Sequence, residues 1–223
     1  MYSQNGSVGV ARRATPTDPF WEYIGPENWD RAFGLLRAER ESRALELAGE
    51  LDARYVVVGP GETQGRIADR LYRFDGLRTD RHPALRRFRL VTEGPRGGLP
   101  IQALFASADR PEDFVPYKLF EIVRGARLDV PAPAGARVEA RVEVRTPAGR
   151  SFVYRTAVRA SEAGRAILVA PYANPQPGEK LAPEAVRPAA VWRIAIDGVD
   201  AGSLVVTERD VLDGALVAFR AGR

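Results

Sequence analysis

"DFVPYKLFEIVRGARLDVPAPAGARVEA", residues 113–140, sets a dense apolar run against a Pro/Ala/Gly segment and then strict alternation. The run "YKLFEIV" (117–123) reads as a strand of a mixed core, and "PAPAGA" (131–136) as a linker. Beyond the linker, Val138, Ala140, Val142 and Val144 alternate with Arg or Glu, as a strand with one buried face requires. Two periodicities on either side of a linker predict two differently built units.

Downstream, "TPAG" and "SEAG" read as turns between "RSFVYRTAV" and "RAILVAPY". A Pro-rich loop (172–188) then leads to "AAVWRIAI" and "SLVVTE". Short strands at regular spacing predict a β-sandwich, Ig-like, over residues 131–223. Upstream, Trp29, Ala32, Phe33 and Leu36 mark one helix, and Ala44, Leu47, Ala48 and Leu51 a second over 40–52. "ARYVVV" (53–58) and "LRRFRLV" (85–91) read as strands, with a helix through Ile67, Arg70 and Leu71 between them. The expected fold class is α+β. An extended segment (1–26) precedes a small mixed α/β core (27–130), which is followed by the all-β sandwich (131–223).

Composition narrows the chemistry. The 223 residues include no Cys, which excludes a disulfide framework, Cys-ligated zinc and a thiol nucleophile. A single histidine, His82, excludes a two-His metal site and reads as a surface residue; no metal site is expected in this chain. No window approaches eighteen consecutive apolar residues, so no membrane-spanning helix is expected. The net charge is +4, and because Lys occurs only at Lys118 and Lys180, nearly all positive charge is arginine.

Two stretches invite a functional reading. "YVVVGPGETQGR" (55–66) places Gly59, Gly61 and Gly65 between a strand and a helix, but the spacing fits neither dinucleotide nor P-loop motifs. It reads as a turn and helix cap. The second stretch is basic: Arg66, Arg70, Arg73, Arg78, Arg81, Arg86, Arg87 and Arg89 stand against only Asp69, Asp75 and Asp80. Forked guanidinium donors suit phosphate oxygens, although a solvated face with local ion pairs explains the same run. Aromatic interleaving of the nucleic-acid type is thin, and no nucleic-acid partner is expected.

The ordered set "TPTDPFWEYIG" (15–25), two helices, "ELDARYVVV" (50–58), "RLYRFDG" (70–76), "FRLVTEGP" (88–95) and "YKLFEIVRGARLDVPAPAGARVEA" (117–140) resembles the soluble C-terminal domain of oligosaccharyltransferase catalytic subunits. These are the prokaryotic enzymes that transfer lipid-linked glycans to protein asparagine. The resemblance runs over residues 15–145. It implies a water-exposed part of a membrane glycosyltransferase that assists acceptor and donor positioning and holds no catalytic residue of its own. Its implied partners are the transmembrane part of the same enzyme, an acceptor polypeptide and a lipid-linked oligosaccharide. The metal implied, magnesium or manganese, belongs to the membrane part, and the location implied is the extracytoplasmic face.

The family's Trp-Trp-Asp-Tyr-Gly motif is absent; nearest its place stands "YSQNG" (2–6), so Tyr2, Asn5 and Gly6 are the implied acceptor contacts. A second family motif would fall on Gly59, Glu62 and Arg66, where only the basic residue survives. Arg66 and Arg70 are the implied contacts for the anionic donor. The alternative from a different class is a non-enzymatic extracytoplasmic module whose β-sandwich binds carbohydrate or protein.

Overall fold

The structure, a computed structural model, describes residues 26–60, 65–94, 115–175 and 185–220. Helix α1 (Pro26–Arg37) and helix α2 (Glu41–Glu50) form a hairpin. Ala44, Leu47 and Ala48 face inward as their spacing predicts. Gly34 lets the helices close: a Cβ there would lie 3.2 Å from Leu47 Cδ1. Strand β1 (Tyr55–Val58), helix α3 (Ile67–Phe74), strand β2 (Phe88–Glu93) and strand β3 (Lys118–Ile122) complete the first unit. Its antiparallel sheet runs β1-β3-β2, with Val56 and Leu90 both opposite Phe120. Those residues, with Leu35, Leu47, Ile67, Leu71 and Phe88, form one buried cluster.

The second unit is a sandwich. Strand β4 (Ala126–Pro131) leads to β5 (Arg137–Arg145), β6 (Ser151–Arg159) and β7 (Arg165–Ala170). Then come β8 (Arg187–Pro188), β9 (Trp192–Ile196), β10 (Val199–Leu204), helix α4 (Glu208–Asp213) and β11 (Leu216–Ala218). One sheet runs β10-β9-β5-β6, with β8 also on β5; the other runs β11-β4-β7. The alternation read in β5 is realised, with Val138, Ala140, Val142 and Val144 all buried. They pack with Leu128, Val130, Leu168 and Trp192 into the larger core. Trp192 anchors it, donating Nε1–H to the Tyr172 carbonyl at 2.9 Å and meeting Tyr154 edge-on at 5.9 Å.

Two local findings differ from the sequence reading. Residues 126–130, expected to close the first unit, pair with β7 in the sandwich, register Leu128 to Leu168. The chain crosses between units at Val123–Gly125, where Val123 N–H bonds Arg87 O (2.9 Å) and Gly125 N–H bonds Val211 O (2.9 Å). "PAPAGA" instead links the two sheets of the sandwich, joining β4 to β5. Gly125 has φ +72°, and a Cβ there would sit 2.5 Å from Val169 Cγ1, so the crossing demands glycine. The second difference is helix α4, within a region read as all β. Thr207 caps it, accepting from Asp210 N–H while the Asp210 carboxylate accepts from Thr207 N–H.

The two cores are fastened to each other. Phe152 and Val186 pack against both. Leu90 N–H donates to the Tyr172 hydroxyl at 3.0 Å, and the Tyr154 hydroxyl donates to Leu85 O at 2.9 Å. Burial raises the pKa of both phenols, which keeps them neutral and, for Tyr154, able to donate.

Candidate functional site

Once folded, the arginines separate into those held by a partner and those open to solvent. Of the basic stretch Arg89 enters the seam between the units, where Arg54 and Arg150 join it. Arg150, on the β5–β6 hairpin, bonds Asp75 (2.8 Å) and Glu93 (2.6 Å), while Lys118 Nζ donates to Asp75 at 2.6 Å. Asp75 sits at the C-cap of α3 with φ +54°, a left-handed conformation that Asp tolerates better than most residues. Both carboxylates are buried, Glu93 with a side chain 0% exposed. A second cluster joins Arg89 to Glu121 (2.9 Å) and Glu208 (2.8 Å), with Arg54 on Glu121 at 2.7 Å. Burial alone would lower the pKa of Arg89 and of Arg150, but the carboxylate bonds outweigh it and raise both.

Arg66 and Arg70, the implied donor contacts, lie one turn apart around the start of α3 and both reach the α1–α2 turn. Arg66 pairs with Glu39 at 2.7 Å and stays half exposed. Arg70 is buried, donates to Pro83 O at 2.7 Å and has its pKa lowered by burial. Its guanidinium holds the 77–85 loop in place. Tyr2, Asn5 and Gly6 lie outside the described residues.

The other population faces solvent. Arg40, Arg78, Arg81 and Arg155 make no side-chain hydrogen bond or ion pair among the described residues, and Arg86 stands 3.9 Å from Glu41. All five line a groove of about 1000 Å³ between the α2 start, the 77–87 loop and strands β6 and β7. Among the described residues, seven arginines and three carboxylates surround it, together with the half-buried His82. Two of those carboxylates are committed: Glu39 pairs with Arg66, and Glu41 accepts from the N–H groups of Arg86 and Arg87, each at 2.7 Å. Burial raises the pKa of Glu41 against those two bonds. The groove runs on into a recess of about 400 Å³ that shares Arg78, Arg155 and Thr156. Concave and basic, with no Phe, Tyr or Trp among the described lining residues, the groove is suited to binding anionic groups.

Sequence reasoning found the arginines of the loop but missed Arg155 and the seam clusters. One signal was present: Lys118 occupies the same strand face as Phe120, and a lone charge among inward apolar residues announces a buried partner. Among the described residues no group of His, Asp or Glu is placed to hold a metal ion, and no helix is long and apolar enough to cross a membrane.

Comparison with known proteins agrees with the sequence resemblance. Residues 125–217 match the family of the archaeal glycosylation protein B long peripheral domain. The fold matches the apo form of the oligosaccharyltransferase of Archaeoglobus fulgidus with TM-score 0.71 and 16% identity, over 98% of this chain and 37% of that one. It also matches that enzyme tethered to an acceptor peptide containing the NVT sequon (TM-score 0.66, 15% identity, 87% and 35% covered). A third match is the same organism's AglB in complex with an inhibitory peptide and a dolichol-phosphate (TM-score 0.63, 16% identity, 84% and 33%). No curated protein sequence matches the chain. The chain spans about a third of the length of these solved structures. At such identity the structures establish the shared fold. The resemblance read from residues 15–145 is thereby borne out, and the family match extends it through the sandwich.

Proposed function

We propose that this chain is the water-exposed region of an oligosaccharyltransferase-like membrane glycosyltransferase. In this reading it positions acceptor polypeptide and lipid-linked glycan beside a catalytic centre held by a transmembrane part. The observation that carries the proposal is the match of residues 125–217 to the archaeal peripheral-domain family. The fold shared over 98% of the chain with an Archaeoglobus oligosaccharyltransferase supports it. The acceptor peptide and the dolichol-phosphate named for the Archaeoglobus enzyme support the classes of acceptor and donor.

On this reading a magnesium or manganese ion in the membrane part supplies charge neutralisation at the leaving pyrophosphate. The location proposed is the extracytoplasmic face. Arg66, half exposed, is the contact we assign to the anionic donor, with Arg70 supporting it from beneath. Acceptor contacts at Tyr2, Asn5 and Gly6 complete the proposed assignment.

Glycan transfer from a polyprenyl-pyrophosphate oligosaccharide to an asparagine peptide tests the reading. The chain alone is expected to transfer nothing. Joined to a membrane part, the assembled enzyme is expected to be active and to lose activity when residues 125–217 are removed. Transfer by the isolated chain, or undiminished transfer after that removal, would contradict the proposal.

A further inference from the structure

Strand β6 forms one edge of its sheet. It pairs with β5 along all nine residues in unbroken register, and on its other edge it is hydrogen-bonded to no strand among the described residues, although β7 of the other sheet packs near it. It contains neither proline nor a bulge, the usual devices that blunt an exposed edge. Arg155 and Arg159 point outward and would serve as edge charges. Edge protection, however, needs no groove. Here the free edge looks into the basic groove: Arg155, Thr156 and Ala157 line it, opposite Arg78 and Arg81 of the loop.

We propose that the groove along β6 binds an extended acidic polypeptide segment, which adds to the sheet as a further strand. Its backbone would satisfy the unpaired N–H and C=O groups of β6, and its carboxylates would meet Arg78, Arg81 and Arg155, which have no side-chain partner among the described residues. The concave shape disfavours a flat lipid surface. The lack of Phe, Tyr and Trp among the described lining residues disfavours stacked bases or sugar rings. This inference stands apart from the proposed glycosylation role, and its test involves no glycan transfer.

The test is fluorescence anisotropy of the whole chain with a labelled peptide of about ten residues alternating glutamate and threonine. The unmodified peptide is expected to bind. Affinity is expected to fall about tenfold in Arg78→Glu/Arg81→Glu, with an unchanged unfolding midpoint because both side chains are exposed and make no pair among the described residues. Two peptides N-methylated at alternate residues, one in each register, keep the charge and remove the strand bonds. At least one is expected to bind about tenfold more weakly. No binding at about millimolar peptide, or binding of both methylated peptides as tight as that of the unmodified one, would overturn the proposal. So would stronger binding of sulfated oligosaccharide, single-stranded DNA or phosphatidylglycerol vesicles than of the peptide.

Discussion

The seam between the two units and the groove beside it use the same side chain in opposite ways. At the seam Arg150 and Arg89 are each held by two carboxylates, and those of Asp75, Glu93 and Glu121 are buried. At the groove Arg78, Arg81 and Arg155 are exposed and have no side-chain partner among the described residues. A desolvated charge must be matched or the fold is lost, whereas a hydrated one costs almost nothing to keep unmatched. Arginine content alone therefore says little about binding. What distinguishes a structural arginine from a binding one is whether the protein has already supplied its anion.

The largest effect should come from unmatching the seam. Among the described residues, Arg150→Ala leaves Asp75 and Glu93 facing a single cation, Lys118, and is expected to cost about 3 kcal/mol in urea unfolding. A loss within 0.5 kcal/mol, on the order expected of surface changes, would mean that the cluster is solvated. Gly125→Ala is expected to cost a similar amount, about 2–3 kcal/mol, from positive φ and the approach of Val169. Its unfolding should show whether the crossing is as tight as the seam around it. Glu208→Gln removes one half-exposed partner of Arg89 and is expected to cost only about 1 kcal/mol. Smallest of all, Arg78→Ala should leave stability within about 0.5 kcal/mol. A larger loss would place Arg78 among the structural arginines.

The same contrast explains what the sequence made legible. The alternation of Val138 through Val144 and the inward spacing of Ala44, Leu47 and Ala48 are local signals, and both elements folded as read. Helix α4 was legible too, because Thr207 and Asp210 stand at capping-box spacing, but it hides behind the apolar "SLVV". The placement of residues 126–131 was not legible. "ARLDVP" is buried on most positions, and only its distant partner β7 decides which sheet receives it. Nor could spacing reveal the seam, because Arg150 meets Glu93 and Asp75 across 57 and 75 residues. The loop arginines were visible as a basic run, but their division into fastened Arg70 and open Arg78 depends on Pro83 and Glu39 folding back over α3. The resemblance lay in residues 15–145, while the family match begins at 125, so the sandwich carried the family signal with few distinctive motifs.

One paired measurement tests the division directly: peptide affinity and unfolding midpoint, determined together for the native chain, Arg150→Ala and Arg78→Glu/Arg81→Glu. The predicted result is a lowered midpoint in the first variant and weakened binding at an unchanged midpoint in the second. A lowered midpoint in the second variant, or an unchanged one in the first, would contradict the account.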